Sequence, residues 1–426
     1  MKAIGIDIGT TSICGILLDC ETGKILKSIT ENSQAFLPTD KDWEKIQDTG
    51  KIMQIALTIT DTLMEDTVKV IGVTGQMHGI VYYDADGKAV SPLYTWQDGR
   101  GNQPYDETRT YSEFLQIPAG YGAVTDFYNT KNGIRPAEAV GYCTIHDYFA
   151  MTLAGRKTPL LHTSDAASFG DFDLRRNCFH HSFVGDITAD FAILGSYKGV
   201  PVSVAIGDNQ ASVFGAVSSD EDILLNIGTG SQISVISSSI VEGENIEVRP
   251  YPGGKYLLVG AALCGGRSYS MLEKFYSDIV YAATGTRMSM YEVMDKMENS
   301  NLPLTVDTRF AGTRQDPSVT GSITHITTEN FTPGALRYAF LNGIIQELFS
   351  MYAQMQQKTG ALIGSGNGIR KNKALIAAAE KAFGATMKIP AHMEEAAFGA
   401  ALFGMVATGE MGTVEEIKQI IRYQEA

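Results

Sequence analysis

The segments Lys2–Leu18 and Ile223–Ile236 carry the same device: an apolar strand, a tight turn of small, hydroxyl-bearing residues, and a second apolar strand. Ile8-Gly9-Thr10 of the first falls on Ile227-Gly228-Thr229 of the second, about half the chain away. Three letters recur by chance easily, but the shared surroundings and the half-length spacing favour an internal duplication. A chain of 426 residues has room for two ordinary domains. Two similar α/β domains are therefore expected, each offering one such hairpin to a common cleft. Glycine adds no Cβ, so the backbone N–H groups of such turns stay open to an anion such as phosphate. The acidic turn Asp220-Glu221-Asp222 gives the boundary, with domains at residues 1–220 and 221–426.

Between the two hairpins the stretch Pro201–Ile206 reads as a buried strand. It runs into Gly207-Asp208-Asn209-Gln210 and a short helical run, Ala211–Ser218. A carboxylate at a strand–helix junction can reach a cleft while the strand holds it rigid. Asp208 thus reads as a base facing a phosphate turn, Gly228–Gln232. No G-x-x-x-x-G-K-[ST] occurs in the chain, so phosphates must be held by two hairpins and a divalent cation instead. Asp7, beside the first turn, can take a hydrated Mg²⁺ through water; taken alone, it would read as a turn-capping aspartate.

Two further segments present polar groups on apolar supports. The strand Val70–Val73 ends in Thr74-Gly75-Gln76-Met77-His78-Gly79, and Leu93-Tyr94-Thr95 leads into Trp96-Gln97-Asp98-Gly99-Arg100. Gln76, His78, Asp98 and Arg100 supply donors and acceptors for hydroxyls, and Trp96 supplies an aromatic face for a carbon skeleton. That combination suits a polyol. The region from Ala119 to His181 says less; it contains a helix around Thr144–Ala154 and a loop over Ser164–Phe172.

In the second half, Thr332-Pro333 reads as the start of a helix, with Leu336, Phe340, Ile344, Leu348 and Tyr352 forming a core-facing stripe. Ala361–Ile363 is then a strand, Gly364–Gly368 a loop, Asn372–Phe383 a helix and Ala385–Ile389 a strand. A glycine loop at the carboxyl end of the first strand of such a unit is where α/β folds bind nucleotides. A dinucleotide site is disfavoured, because G-x-G-x-x-G is not matched.

Charge and cysteines narrow the classes further. A net charge of −14 argues against broad attraction to nucleic acid or an anionic membrane. The most apolar late run, Ala396–Gly409, is too short to span a bilayer and reads as a buried helix. Five cysteines without a C-x-x-C pair read as reduced thiols in a cytoplasmic protein.

Taken in order, Asp7-Ile8-Gly9-Thr10-Thr11-Ser12, Gly75-Gln76-Met77-His78-Gly79, Gly207-Asp208-Asn209-Gln210, Gly228-Thr229-Gly230-Ser231 and Gly364-Ser365-Gly366 resemble the FGGY carbohydrate kinases. These belong to the actin-like ATPase superfamily, built from two ribonuclease-H-like domains. The resemblance implies Asp208 as catalytic base and Gln76, Met77, His78, Trp96, Asp98 and Asn209 around the sugar. It implies Thr10, Thr11, Gly228, Thr229, Gly265, Gly366 and Asn372 around the nucleotide, with Asp7 and Asp208 serving Mg²⁺. ATP and a small sugar are the implied partners, and a homodimer is allowed. Thr95–Arg100, Ala262–Gly266 and Gly364–Asn372 point to phosphorylation of sedoheptulose to its 7-phosphate, with D-xylulose or another ketose or polyol as the alternative. From a different class, the same fold could serve as a non-catalytic, sugar-responsive regulator.

Overall fold

The structure is a computed structural model, and it describes residues 1–181, 185–298, 303–313, 316 and 318–424. The chain forms two compact units. The first comprises Met1–Ser218 with Arg249–Lys255 and His392–Arg422; the second comprises Ser219–Val248, Tyr256–Ala391 and Tyr423–Ala426. The chain thus passes between units several times, where the sequence offered one boundary at the acidic turn.

In the first unit, β1 (Lys2–Ile8) and β2 (Ser12–Asp19) form an antiparallel hairpin, and β3 (Ile25–Asn32) pairs with the far side of β2. Helix α1 (Thr49–Leu63) starts at Asp48, whose side chain accepts the Lys51 N–H. Strand β4 (Val68–Gly75) then returns parallel to β1. Helices α2 (Ile145–Leu153) and α3 (Thr163–Ser168) follow, then β5 (Ile193–Tyr197), β6 (Val200–Ser203), β7 (Ile206–Gly207) and α4 (Asp208–Ala216). The sheet order is β5-β6-β4-β1-β2-β3, with β7 beside the end of β4. Both faces of β1 and β4 are covered, which is why they read as near-continuous apolar runs.

The second unit repeats this plan. Strands β8 (Ile223–Ile227) and β9 (Ser231–Ser237) form the hairpin, and β10 (Lys255–Ala262) pairs antiparallel with β9. After α5 (Gly265–Thr284) and α6 (Pro333–Tyr352), β11 (Leu362–Ser365) runs parallel to β8. Helices α7 (Gly366–Lys371) and α8 (Lys373–Phe383) lead to β12 (Met387–Pro390), parallel to β11. Three antiparallel strands followed by parallel ones occur in both units, β3-β2-β1-β4 in one and β10-β9-β8-β11 in the other. The two Ile-Gly-Thr segments occupy the same hairpin turn in each sheet.

The expected stripe on α6 is buried along its length, and Thr332 caps the helix through the Ala335 N–H with Pro333 in its first turn. Three local expectations shift. Residues 163–168 of the presumed loop are helical, the Pro201–Ile206 strand breaks into β6 and β7, and the Gly364–Gly368 loop becomes a strand end and a helix start. The last helix, α9 (Glu395–Ala407), is buried around most of its circumference, as its composition suggests, and belongs to the first unit. Small residues let it lie backbone-to-backbone on the sheet. A Cβ on Gly5 would stand 1.9 Å from the Ala397 carbonyl oxygen, and one on Gly72 would stand 1.8 Å from that of Ala400.

Candidate active site

In the first unit the parallel strands end side by side. Asp7 pairs with Thr74 and Ile8 with Gly75 across β1 and β4, while Ile206 and Gly207 of β7 pair with Thr74 and Gly75. The Thr74 hydroxyl donates to the Ile206 carbonyl at 2.7 Å, and the Gly207 N–H donates to Ser164 Oγ at 3.1 Å. Asp7, Gln76 and Asp208 therefore emerge at the carboxyl edge of one rigid sheet, the usual place for a ligand in an α/β fold.

Asp208 is the first residue of α4. Burial pushes its carboxyl above the ordinary range, opposed by His146, the Asn209 backbone and Arg249. The carboxyl of Asp7 is raised to about 7, by burial first and then by Asp208 and Glu394. Its Oδ1 is buried without a hydrogen-bond partner. Arg249 offsets the burial of Asp208 only in part, and mutually repelling carboxylates with an orphaned oxygen are donors that suit a hard divalent cation. The residues present thus fit Mg²⁺.

Next to this edge lies a closed ring of hydrogen bonds. Thr10 Oγ1 donates to Gln76 Oε1 at 3.2 Å, Gln76 Nε2 to Gln47 Oε1 at 3.1 Å, and Gln47 Nε2 to the Thr10 carbonyl at 2.7 Å. Trp96 Nε1 donates to Thr10 Oγ1 at 2.9 Å, while the Trp96 side chain stays 48% exposed, open to a ligand. Thr10, expected at the nucleotide, is thereby tied to Gln76 and Trp96, expected at the sugar. Thr11 is exposed, and its carbonyl accepts from the Ser33 N–H at 2.9 Å. His78 adopts a left-handed backbone (φ 71°), uncommon for a residue with a side chain and often seen at functional sites. Its Nδ1 lies 2.8 Å from the Ser168 carbonyl, which can only accept, so Nδ1 carries a proton. The ring stacks on Tyr121 at 4.0 Å. Met77 is buried against Gly207, and Asn209 Oδ1 accepts from Arg249 at 3.1 Å.

Asp98 behaves differently. Its Oδ1 accepts from the Arg100 backbone at 3.0 Å and Nε at 2.6 Å; its Oδ2 accepts from the Lys45 N–H at 2.9 Å and Arg100 Nη2 at 3.1 Å. A carboxylate has about four lone-pair sites, and all are engaged within the protein. Arg100 also packs 4.1 Å over the Tyr94 ring and bonds Asn129. This pair clamps the turn that carries Trp96.

The second unit holds a cavity of about 790 Å³ whose lining combines small and polar residues (Gly228, Thr229, Gly266, Ser270, Asn367, Gly368, Asn372), two cations (Arg267, Lys371), one acid (Asp295) and apolar or aromatic walls (Tyr269, Tyr291, Leu341, Ile344, Leu375). The Gly266 and Arg267 amides at the start of α5 donate to the Gly228 and Thr229 carbonyls, each at 2.9 Å. A Cβ on Gly266 would lie 2.2 Å from the Gly228 oxygen, and one on Gly265 would lie 2.6 Å from the Gly230 carbonyl carbon. Gly366 takes a left-handed backbone (φ 83°) against Ile227, and Asn372 caps α8 through the Leu375 N–H at 3.0 Å. Small residues and two cations together with aromatic and aliphatic walls are the residue types that suit a polyphosphate attached to a base.

The sequence reading overlooked Gln47, Glu394 and Arg249, which reach their places through tertiary contacts that leave no local pattern; it gave no role to Arg267, next to Gly266, or to Lys371, inside the Gly364–Asn372 stretch it singled out. It also overlooked His146, Asp147 and Asp165, whose one available signal was polar residues in an otherwise apolar helix.

Residues 2–184 match the family described as the FGGY family of carbohydrate kinases, N-terminal domain. A sedoheptulokinase from Mus musculus is 28% identical over 94% of this chain and 96% of its own length. A xylulose kinase from Staphylococcus epidermidis is 24% identical over 97% of this chain and 89% of its own. The crystal structure of xylulose kinase from Rhodospirillum rubrum shares the fold, with a TM-score of 0.84 and 18% identity over 100% of this chain and 93% of that one. With the duplicated sheet, the glycine turns and the carboxylate edge, these similarities identify the fold as that of the two-domain actin-like ATPases, and residues 2–184 match the N-terminal domain of the FGGY family of carbohydrate kinases.

Proposed function

We propose that the protein transfers the γ-phosphoryl group of ATP to a ketose, sedoheptulose at its 7-hydroxyl, with Asp208 as base. The observation that carries this reading is the placement of Asp208 at the carboxyl ends of β4 and β7, beside an Asp7 oxygen without a partner. A sugar hydroxyl is a poor nucleophile until its proton leaves. The Asp208 carboxylate takes that proton as the oxygen bonds to phosphorus and ADP departs. Its raised pKa brings the base closer to working pH, where a positioned base is most effective. Asp7 and Asp208 would hold Mg²⁺ through water, and the ion, when bound, neutralises phosphate charge.

The remaining side chains orient. Gln76, with its amide fixed by Thr10 and Gln47, the His78 ring, and the exposed Trp96 face are proposed to hold the sugar, with Met77 and Asn209 adjoining. Asp98 acts by clamping the Trp96 turn. Gly228, Thr229, Gly265, Gly366 and Asn372 are proposed to hold the nucleotide, with Arg267 and Lys371 supplying charge. The choice of sedoheptulose is supported by the sedoheptulokinase relative, which aligns along nearly its whole length. The xylulose kinase relatives make D-xylulose the second reading.

A coupled assay of ADP release over a panel of ketoses and polyols tests both. Sedoheptulose is expected to exceed D-xylulose in kcat/KM by at least ~10-fold, since a pocket with polar groups left unpaired discriminates strongly against a shorter sugar. A preference for D-xylulose reverses the sugar and leaves the kinase; no turnover on any sugar favours the regulator. Asp208→Asn keeps the size of the side chain but takes no proton. It is expected to cut turnover by at least ~10² while sugar and nucleotide binding stay within about tenfold.

A further inference from the structure

Beneath the carboxylate edge, on the side of the sheet covered by α2 and α3, lies a cluster of ionisable groups that phosphoryl transfer does not use. His146 and Asp147 occupy the first turn of α2, and Asp165 lies in α3; their exposures are 0%, 2% and 0%. One donor atom from each falls within 4.8 Å of the other two. His146 Nε2 stands 3.1 Å from Asp165 Oδ1. Neither ring nitrogen makes a well-aligned hydrogen bond, although the ring also borders the Gln76 backbone. Asp147 Oδ1 and Asp165 Oδ2 are likewise buried without a well-aligned partner, although the two side chains come within hydrogen-bonding reach of each other; the other Asp147 oxygen accepts from Thr144 Oγ1 at 2.7 Å.

Charge makes this arrangement hard to sustain as it stands. Among the described residues no lysine or arginine pairs with either carboxylate. Burial, with the repulsion of neighbouring carboxylates, pushes both carboxyls well above the ordinary range, so ion-free they are held towards the protonated form, and each orphaned acceptor adds its own cost. A divalent ion would displace those protons and engage the orphaned oxygens and the imidazole together.

We propose that His146, Asp147 and Asp165 form a structural metal site, distinct from the Mg²⁺ site at Asp7, for a divalent ion that accepts mixed imidazole and carboxylate donors, Zn²⁺ or Mn²⁺. One nitrogen and two oxygens are within the habits of both ions. Donors around a tetrahedral ion with bonds of ~2.1 Å stand roughly 3.4 Å apart, so the cluster needs only a modest contraction to close. The ion would tie α2 to α3 directly below the strand ends: a Cβ on Gly75 would stand 2.7 Å from the Ile8 carbonyl oxygen and 3.1 Å from His146 Cβ, and Ser164 beside Asp165 holds the Gly207 amide. Its role is to fix the floor under Asp208, and it takes no part in the reaction. Because every donor is buried, the ion enters as the chain folds and exchanges slowly.

The test is the metal content of the purified full-length chain, by elemental analysis after dialysis against magnesium-free buffer, in parallel with thermal melts. About one equivalent of zinc or manganese per chain is expected, retained by Asp7→Asn and lost in His146→Gln and in Asp165→Asn. X-ray absorption at the metal edge is expected to show a first shell of nitrogen and oxygen without sulfur. Refolding the wild-type chain with a chelator is expected to lower its melting temperature, and refolding with Zn²⁺ or Mn²⁺ to restore it. If the His146 and Asp165 variants do not fold, absorption spectroscopy and refolding of the wild-type chain decide alone. Metal-free wild-type protein whose melting temperature ignores chelator and both ions overturns the proposal, as does metal retained equally in folded His146→Gln. None of these readouts depends on kinase activity.

Discussion

Asp98 and Asp208 are both carboxylates held on rigid backbone, and their hydrogen bonds separate their roles. The four bonds to Asp98 leave it no acceptor for a ligand, whereas the groups around Asp208 only partly offset its burial. Removing one member of a buried pair leaves the other charge uncompensated, typically at a cost of about 3–5 kcal/mol. Arg100→Met is therefore expected to lower the stability of the first unit by that order, measured by chemical denaturation, and a change below about 1 kcal/mol would contradict the clamp. The Thr10–Gln76–Gln47 ring makes a different prediction. Gln47→Leu frees the Gln76 amide to rotate, so the sugar KM is expected to rise about tenfold with the nucleotide constant unchanged; equal losses for both would place the ring elsewhere in function. At this scale the sequence revealed residue types and not their engagements. Asp98 looks like a sugar ligand in its local string, and only Lys45, far back in the chain, and the fold of Arg100 onto it show that it is committed.

The hairpin turns and glycine-led helix starts were legible because their geometry is local. Gly265 and Gly266 must be small because the helix start lies against the backbone of the 228–230 turn, and the sequence displays that need directly. Gly266→Ala places a methyl against the Gly228 carbonyl. Because backbone cannot yield as a side chain tip would, the turn must shift. Calorimetry is expected to show ATP and ADP affinity reduced by at least ~10-fold with sugar affinity retained. Retained nucleotide binding would move the phosphate site away from this turn. Helix α9 marks the limit of such reading. A run apolar on all sides announces burial but names no partner, and periodicity could not assign it to the first unit. The helix at residues 163–168 was equally hidden, since its cap is the His162 ring, which accepts the Ser164 N–H at 3.1 Å, a signal outside the usual capping residues.

For the whole molecule, His162 links fold stability to acidity. Burial lowers its pKa to about 4, from an ordinary value near 6.5. The unfolded chain then binds a proton that the folded one refuses between those values, so the stability this neutral ring permits is present above about pH 6.5 and is lost as pH falls towards 4, at about 1.4 kcal/mol per unit. His162→Asn keeps an acceptor for the helix cap and removes the titration. Its melting temperature is expected to fall less steeply than that of the parent between pH 7 and 5, and parallel slopes would assign the acid sensitivity to other groups. The return of residues 392–422 to the first unit has a consequence for synthesis. A ribosome adding ~5–20 residues per second releases the first sheet long before it makes α9, the helix that covers Gly5 and Gly72. For many seconds the nascent sheet carries a naked apolar face while the second unit is still being made. A chain that stops just short of α9 has every residue proposed for chemistry and no lid for its own core.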